Sequence, residues 1–350
     1  ATFVQTFLNF TSSTLSAAFI VIPFAMHSLG LPVTVTLFLV LGALNYYTLT
    51  SVVVIAEDFR KHSYEEVAEL AFGRIGFLVA WTTELLFGLC AAVVNIFVAS
   101  TLIAHFLHRV TGGSHSWAIS RGVVAVWVAL PGLAFSLYQH PRRFSLAMGS
   151  AIVATVVFAL CLFLLWAVKP TRMPSMRCWI LPHGLNSSLK FGVVLLYCFV
   201  AHHKCFWNFR SMRLRSKERW SLVCRYAIGC TILLYLLISA VGMLCLPQTK
   251  EEQDDRDFLF CRDSYLGSHG LRVAAFLGLA AFLVLISPTD VSALRLLVTR
   301  MLARNIARLS DLDDRSEFGD ETQSAGSPRV GYHPANLGEG QSWAPGEQLP

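Results

Sequence analysis

Three polar stretches can do chemistry in this chain, and each lies inside a segment that is otherwise apolar. Thr11-Ser12-Ser13-Thr14-Leu15-Ser16-Ala17-Ala18, followed by Pro23, sets hydroxyls and small side chains at the middle of the first segment. Such a run can unwind and turn main-chain N–H and C=O groups toward a ligand or an ion. Alternatively, its hydroxyls bond back to carbonyls of their own helix. Phe199-Val200-Ala201-His202-His203-Lys204 places two imidazoles and an ammonium in one helix. His202 is either a proton carrier near neutral pH or a neutral, hydrogen-bonded core residue, and Lys204 is expected to snorkel toward the cytoplasmic end. Ser287-Pro288-Thr289 interrupts a later segment with a proline and two hydroxyls, giving a cation-ligating kink or a kink alone. Glu84 and Asp290, nearer the segment ends, are expected to pair with loop arginines.

Other chemistries find no residues here. There is no phosphate-binding Gly-rich loop with Lys, no His-Glu-x-x-His and no Gly-x-Ser-x-Gly elbow, so no enzyme, metal or cofactor is expected. The basic residues do not interleave with aromatics, which argues against nucleic acid as a partner. Cys178 and Cys261, both in loops, are candidates for a disulfide, whereas the other cysteines fall in or beside apolar segments. Asn186-Ser187-Ser188 is the usable glycosylation sequon, because Asn9 would sit in hydrocarbon.

The elements that must position these groups are membrane-spanning helices. The 350 residues are 55% hydrophobic and 14% charged, and no Asp, Glu, Lys or Arg precedes Glu57. A crossing needs about 20 apolar residues. Eight segments qualify, at about 3–27, 33–56, 76–107, 122–139, 144–168, 190–209, 222–247 and 272–297. They are apolar on all sides, so they read as helices and not as strands of a barrel. The run from Phe3 lacks a basic n-region and reads as a span, not a cleaved leader. Ser63 and Glu66 form a capping-box pattern opening a short amphipathic helix that Gly73 stops. Fifteen Lys and Arg fall on one side of the eight spans and ten on the other, which places both the N-terminus and the tail in the cytoplasm beside anionic lipid. Residues 1–304 form the transmembrane domain, and the acidic, then Gly-, Pro- and Ser-rich, segment 305–350 is expected to be a disordered tail.

Ser12-Ser13-Thr14-Leu15-Ser16-Ala17-Ala18-Phe19-Ile20-Val21-Ile22-Pro23-Phe24-Ala25 resembles the opening helix of the amino acid/auxin permease family. Ser63 to Gly73 is similar to that family's cytoplasmic helix before the third span, and Cys198-Phe199-Val200-Ala201-His202 to its Phe-x-x-His pattern. The resemblance implies an all-α polytopic membrane protein of inverted-repeat, leucine-transporter-like architecture, with a first repeat over about 1–168 and a partial second one over about 188–300. It implies cation-coupled, secondary active transport of amino acids or related small zwitterions by alternating access, with Na⁺ or H⁺ as the coupling ion. The alternative is a non-transporting sensor or membrane scaffold. Substrate would be held by Thr14, Ser16, Ala17, Ala18, Cys198, Phe199, Ala201 and His202, and a cation by Ser12, Ser13, Ser287 and Thr289. Two departures stand out. Ser16-Ala17-Ala18 replaces the family's Gly-x-Gly, and eight spans fall short of ten or eleven, as in a chain truncated after its eighth span or completed by a partner chain or a second copy.

Overall fold

Thr2 opens the first helix with a capping box: its hydroxyl accepts from the Gln5 N–H at 3.3 Å, and its own N–H donates to the Gln5 side chain at 2.8 Å. The computed structural model describes residues 1–15, 20–111, 120–137, 141–168, 185–245 and 269–324. Within them the order is α1 (Phe3–Thr14), α2 (Ile22–Leu29), α3 (Leu31–Asp58), α4 (Tyr64–Thr111), α5 (Arg121–Leu137), α6 (Pro141–Val168), α7 (Leu185–Cys198), α8 (His202–Ser211), α9 (Lys217–Cys245) and α10 (His269–Ser324). Six of the eight apolar segments are helical throughout their described residues. The first is split into α1 and α2, and the sixth into α7 and α8. Six helices among the described residues, counting 188–211 as one, are long and apolar enough to cross a membrane. Polarity is distributed as lipid requires: Leu39, Val40, Leu44 and Tyr47 of α3 are more than half exposed, while Thr6, Asn9, Thr11 and Ser12 are buried.

Glycines make two sharp turns in the first part of the chain. Gly30, at φ 79°, ends α2 so that Leu31 and Pro32 can begin α3. Gly73, at φ 64° and ψ −155°, divides α4 into a short leading helix and a long span, as the capping pattern at Ser63 anticipates. The Ser63 hydroxyl accepts from the Glu66 N–H at 3.3 Å, and the Glu66 carboxylate reaches back to the His62 N–H at 2.8 Å. Small residues elsewhere mark close helix approach: a Cβ on Gly278 would lie 3.3 Å from the Ala154 carbonyl of α6, and one on Gly88 would lie 2.8 Å from Leu294.

Residues 1–299 form one compact unit and 300–350 a second. In the second, the helical backbone continues to Ser324, through part of the segment that composition assigns to disorder. No proline occurs between Pro288 and Pro328, and Asp311 precedes Arg315 by one turn, so the start of the tail keeps helix-compatible chemistry. The remainder lies outside the described residues, as do Cys178 and Cys261 and therefore their pairing. Asn186 lies in the first turn of α7.

The first unit has two apolar clusters. One gathers Leu15, Ile22, Phe38, Cys198, Phe199 and Tyr235, and the other Phe10, Leu49, Ala201, Cys205, Phe209 and Trp220. Trp220 anchors the second, with ring centroids 5.0 Å from Phe10 and 5.7 Å from Phe209, and its indole N–H donates to the Leu49 carbonyl at 3.3 Å.

A buried ion pair joins two of the described helices. Lys204 Nζ is 2.5 Å from Asp290 Oδ1, with the two side chains 6% and 2% exposed, and Asn95 Nδ2 donates to Asp290 Oδ2 at 2.7 Å. This corrects two expectations: Lys204 does not snorkel, and Asp290 does not pair with a loop arginine. Lys204 is the third residue of a helix that starts inside the protein, so its ammonium meets a carboxylate before it can reach an interface. The pair fastens the short α8 to α10, while Asn95 brings in α4. Lys204→Met or Asp290→Ala alone leaves a charge stranded in a dry site and is expected to cost about 3–5 kcal/mol, read as a lowered unfolding midpoint in detergent. Lys204→Met with Asp290→Leu is expected to recover most of that loss, because no charge is then left behind. Trp220→Ala is expected to cost a similar amount, about 3–5 kcal/mol, through the cavity it opens.

Candidate functional site

Two interrupted helices meet at the centre of the first unit. α1 packs against α8, and α2 against α7, so the first half of each broken helix lies beside the second half of the other. The two therefore run antiparallel, and the ends at Thr14 and Cys198 approach one another. Each break presents two kinds of backbone end. Thr14 and Cys198 close helices and carry carbonyls at negative dipole ends, whereas Ile22 and His202 open helices whose N–H groups have no side-chain cap.

Local bonding accounts for the loosened turn before the first break. The hydroxyls of Ser12, Ser13 and Thr14 donate to the carbonyls of Asn9, Phe10 and Thr11 at 3.1, 2.8 and 2.7 Å. Thr11 O also accepts from the Leu15 N–H at 3.2 Å, after which the chain leaves helical geometry, with Leu15 extended at ψ 139°. The end of α7 tightens instead. The N–H groups of Phe199 and Val200 donate three residues back, to Leu196 and Tyr197, which satisfies those carbonyls and leaves Cys198 O directed across the break.

A residue outside both breaks joins them. Tyr235 of α9 donates its hydroxyl to Thr14 O at 3.2 Å and to Cys198 O at 3.3 Å. Its ring completes a triangle with Phe38 and Phe199, with centroid separations of 5.8, 5.9 and 6.0 Å, and all three rings are buried. Four residues earlier on α9, Thr231 shares a hydrogen bond of 2.7 Å with Thr14 Oγ1. The arrangement offers carbonyls to a cationic group, open helix N-termini to an anionic one, and aromatic walls to an apolar one.

The residues that the sequence singles out divide as follows. Thr14, Cys198, Phe199 and Ala201 border the breaks, whereas Ser16, Ala17 and Ala18 lie outside the described residues. His202 opens α8, but its described partners are on other helices: Nε2 is 2.8 Å from Thr48 Oγ1 of α3, and the ring lies 6.3 Å from that of Tyr64. Ser287 donates to the Val284 carbonyl at 3.0 Å and Thr289 to that of Ile286 at 2.7 Å. The Ser287 bond is the one that Pro288, lacking an N–H, cannot supply to Val284, so α10 passes through its proline as a continuous helix. Gly132 of α5 lies against Ser287, and no hydrogen bond among the described residues joins Ser12 or Ser13 to Ser287 or Thr289. Tyr235, Phe38 and Thr231 are not among the residues chosen from sequence. The available signal was the polar stripe Thr231, Tyr235, Ser239, one turn apart in an apolar span.

Comparison with known proteins gives the family. Proteins of Danio rerio and Mus musculus, both bearing the name "Putative sodium-coupled neutral amino acid transporter 11", are 23% and 22% identical over 265 residues, which is 75% of this chain and 58% of each relative. Vacuolar amino acid transporter 2 of Saccharomyces cerevisiae is 20% identical over 241 residues, 67% of this chain and 50% of that protein. The chain thus spans little more than half the length of the relatives it matches. Residues 1–245, which hold both breaks and Tyr235, match the family described as transmembrane amino acid transporter protein, and the chain belongs to that family.

Proposed function

We propose that this protein carries amino acids or related small zwitterions across a membrane by alternating access, driven by a cation gradient. The reading rests chiefly on the two facing breaks, whose carbonyls converge on one hydroxyl. A zwitterion needs an acceptor set and a donor set a few ångströms apart in a dry site, and two antiparallel half-helix pairs supply both. The solute's ammonium group is assigned to carbonyls at Thr14 and from Cys198 to Ala201, and its carboxylate to N–H groups at 16–18. Its side chain is assigned to the space beside Phe38 and Phe199. The coupling cation, Na⁺ or H⁺, is assigned to the hydroxyls of Ser12 and Ser13 with Ser287 or Thr289. The orientation that follows from the basic loops has both termini in the cytoplasm. Helices beyond α10 would come from further chain, a partner or a second copy.

Uptake of labelled neutral amino acids into proteoliposomes tests the proposal. With an inward sodium and proton gradient the protein is expected to accumulate substrate above its outside concentration. With choline replacing sodium and pH equal on both sides, uptake is expected only to equilibrate. Binding without any flux would favour a sensor over a carrier. Ser16→Trp is expected to reduce uptake to the level of empty vesicles by filling the space between the breaks, and unchanged uptake would remove the assigned pocket.

A further inference from the structure

A carboxylate buried among apolar helices needs a positive charge beside it throughout the protein's working, because a charge left alone there is costly. Asp290 has Lys204 for this, and the two partners are held in unlike ways. The carboxylate belongs to the long helix α10, and its Oδ2 accepts from Asn95 Nδ2 of α4 at 2.7 Å, so two long helices fix it. The ammonium, 2.5 Å from Oδ1, is carried in the first turn of the ten-residue α8, directly after the second break. Asn95 supplies an independent observation. Its amide must turn the NH₂ group toward the carboxylate, which leaves Oδ1 as an acceptor, and this buried oxygen has no hydrogen-bond partner among the described residues. An amide oxygen beside a carboxylate is a ligand set for a hard cation. An unserved acceptor in a dry place costs free energy, and a cation coordinated by both residues removes that cost.

We propose that Asp290 and Asn95 form a binding site for a small monovalent cation such as Na⁺, that the Lys204 ammonium is its resident occupant, and that ion and ammonium exchange there as α8 moves. The inference deepens the cation part of the transport reading, on which the movement of α8 rests. Charge selects the class of ion. A monovalent cation in place of the ammonium keeps the site neutral, whereas a divalent one leaves a net positive charge in a low-dielectric place. Choline has the right charge but cannot be ligated closely by oxygen. The displaced ammonium must regain water, and its four-carbon stem lets it swing toward the second break, where access for the solute also admits water. The site differs from the hydroxyl set of Ser12, Ser13, Ser287 and Thr289 in carrying a formal negative charge, so it attracts its ion by charge as well as by lone pairs.

Lys204→Met removes the ammonium and leaves the carboxylate and Asn95. The full chain in detergent, as Lys204→Met and as Lys204→Met with Asp290→Leu, is to be compared in sodium chloride and in choline chloride at equal ionic strength. The unfolding midpoint of Lys204→Met is expected to rise by about 5 °C when saturating sodium replaces choline. The double variant, which has no carboxylate, is expected to show no difference between the salts. Adding Asn95→Leu to Lys204→Met is expected to raise the sodium concentration for half the effect about tenfold, and an unchanged concentration overturns the site as assigned. A purely structural ion pair gives a Lys204→Met variant as unstable in sodium as in choline. That result overturns the proposal, as does an equal sodium effect in the double variant. Should Lys204→Met not fold, the wild type decides by labelling with an amine-reactive reagent, read at Lys204 by peptide mass spectrometry. Sodium in place of choline is expected to increase that labelling several-fold, because the ion keeps the ammonium out of the pair, and equal labelling refutes the exchange. Neither readout involves flux. Uptake into proteoliposomes by a protein without these sodium effects overturns the inference while the transport reading stands, whereas sodium effects without uptake or solute binding overturn transport and leave the cation site.

Discussion

Inside a bilayer no water is available to a main-chain group that its own helix does not bond, so an interrupted helix must find other partners for its ends. This protein interrupts two helices whose ends meet, and that constraint organises the rest of the first unit. The hydroxyls of Ser12, Ser13 and Thr14 serve carbonyls within α1. The turn at 199–200 serves carbonyls of α7, and Tyr235 serves the last carbonyl on either side. α9, which carries Tyr235 and Thr231, consequently packs against α1, α2, α3 and α6. A helix that might have faced lipid is drawn to the centre because its phenol is needed there.

The same constraint explains why the second half of the sixth segment needs an ion pair. α8 is ten residues long and carries two imidazoles, a lysine and an asparagine, so apolar contact holds it poorly. Lys204 compensates by reaching Asp290, and Phe209 and Cys205 complete the attachment beside Trp220. A buried pair of this kind contributes little net stability over well-packed apolar residues, but removing one partner is costly. Its consequence is positional: it sets α8 against α10 and α4, and with α8 the N-terminal side of the second break.

Much of this was legible in the residues, and the parts that were not share a cause. Interruption of the first segment is one of two outcomes that its hydroxyl and alanine run before Pro23 allows, whereas interruption of the sixth is implied by the family resemblance and not by its residues alone. The cap at Ser63 and the stop at Gly73 follow from local rules, because both ends of each interaction lie within one turn. Tyr235 and the Lys204–Asp290 pair depend on partners far apart in the chain. The stripe Thr231, Tyr235, Ser239 marks a polar face in an apolar span but not what that face will touch, and an aspartate near a helix end is explained equally well by a loop arginine. The start of the tail misleads for a different reason: its composition is polar enough for disorder, yet it contains no proline to prevent the helix from continuing through Ser324.

The hydroxyl run poses what looks like a choice between cation ligation and back-bonding to the helix, and the geometry makes the two compatible. A hydroxyl has one proton and two lone pairs. At Ser12, Ser13, Ser287 and Thr289 the proton is directed to a carbonyl of the preceding turn, which turns the lone pairs away from the helix axis. A cation needs oxygen lone pairs and is repelled by hydroxyl protons, and back-bonding leaves the lone pairs of these oxygens unused. The Thr14–Thr231 contact differs, because each hydroxyl also has a carbonyl of its own helix within reach, Thr11 O and Ala227 O, and only one can donate to the other. That pair fastens α1 to α9, whereas the oxygens of Ser12 and Ser13 retain accepting capacity.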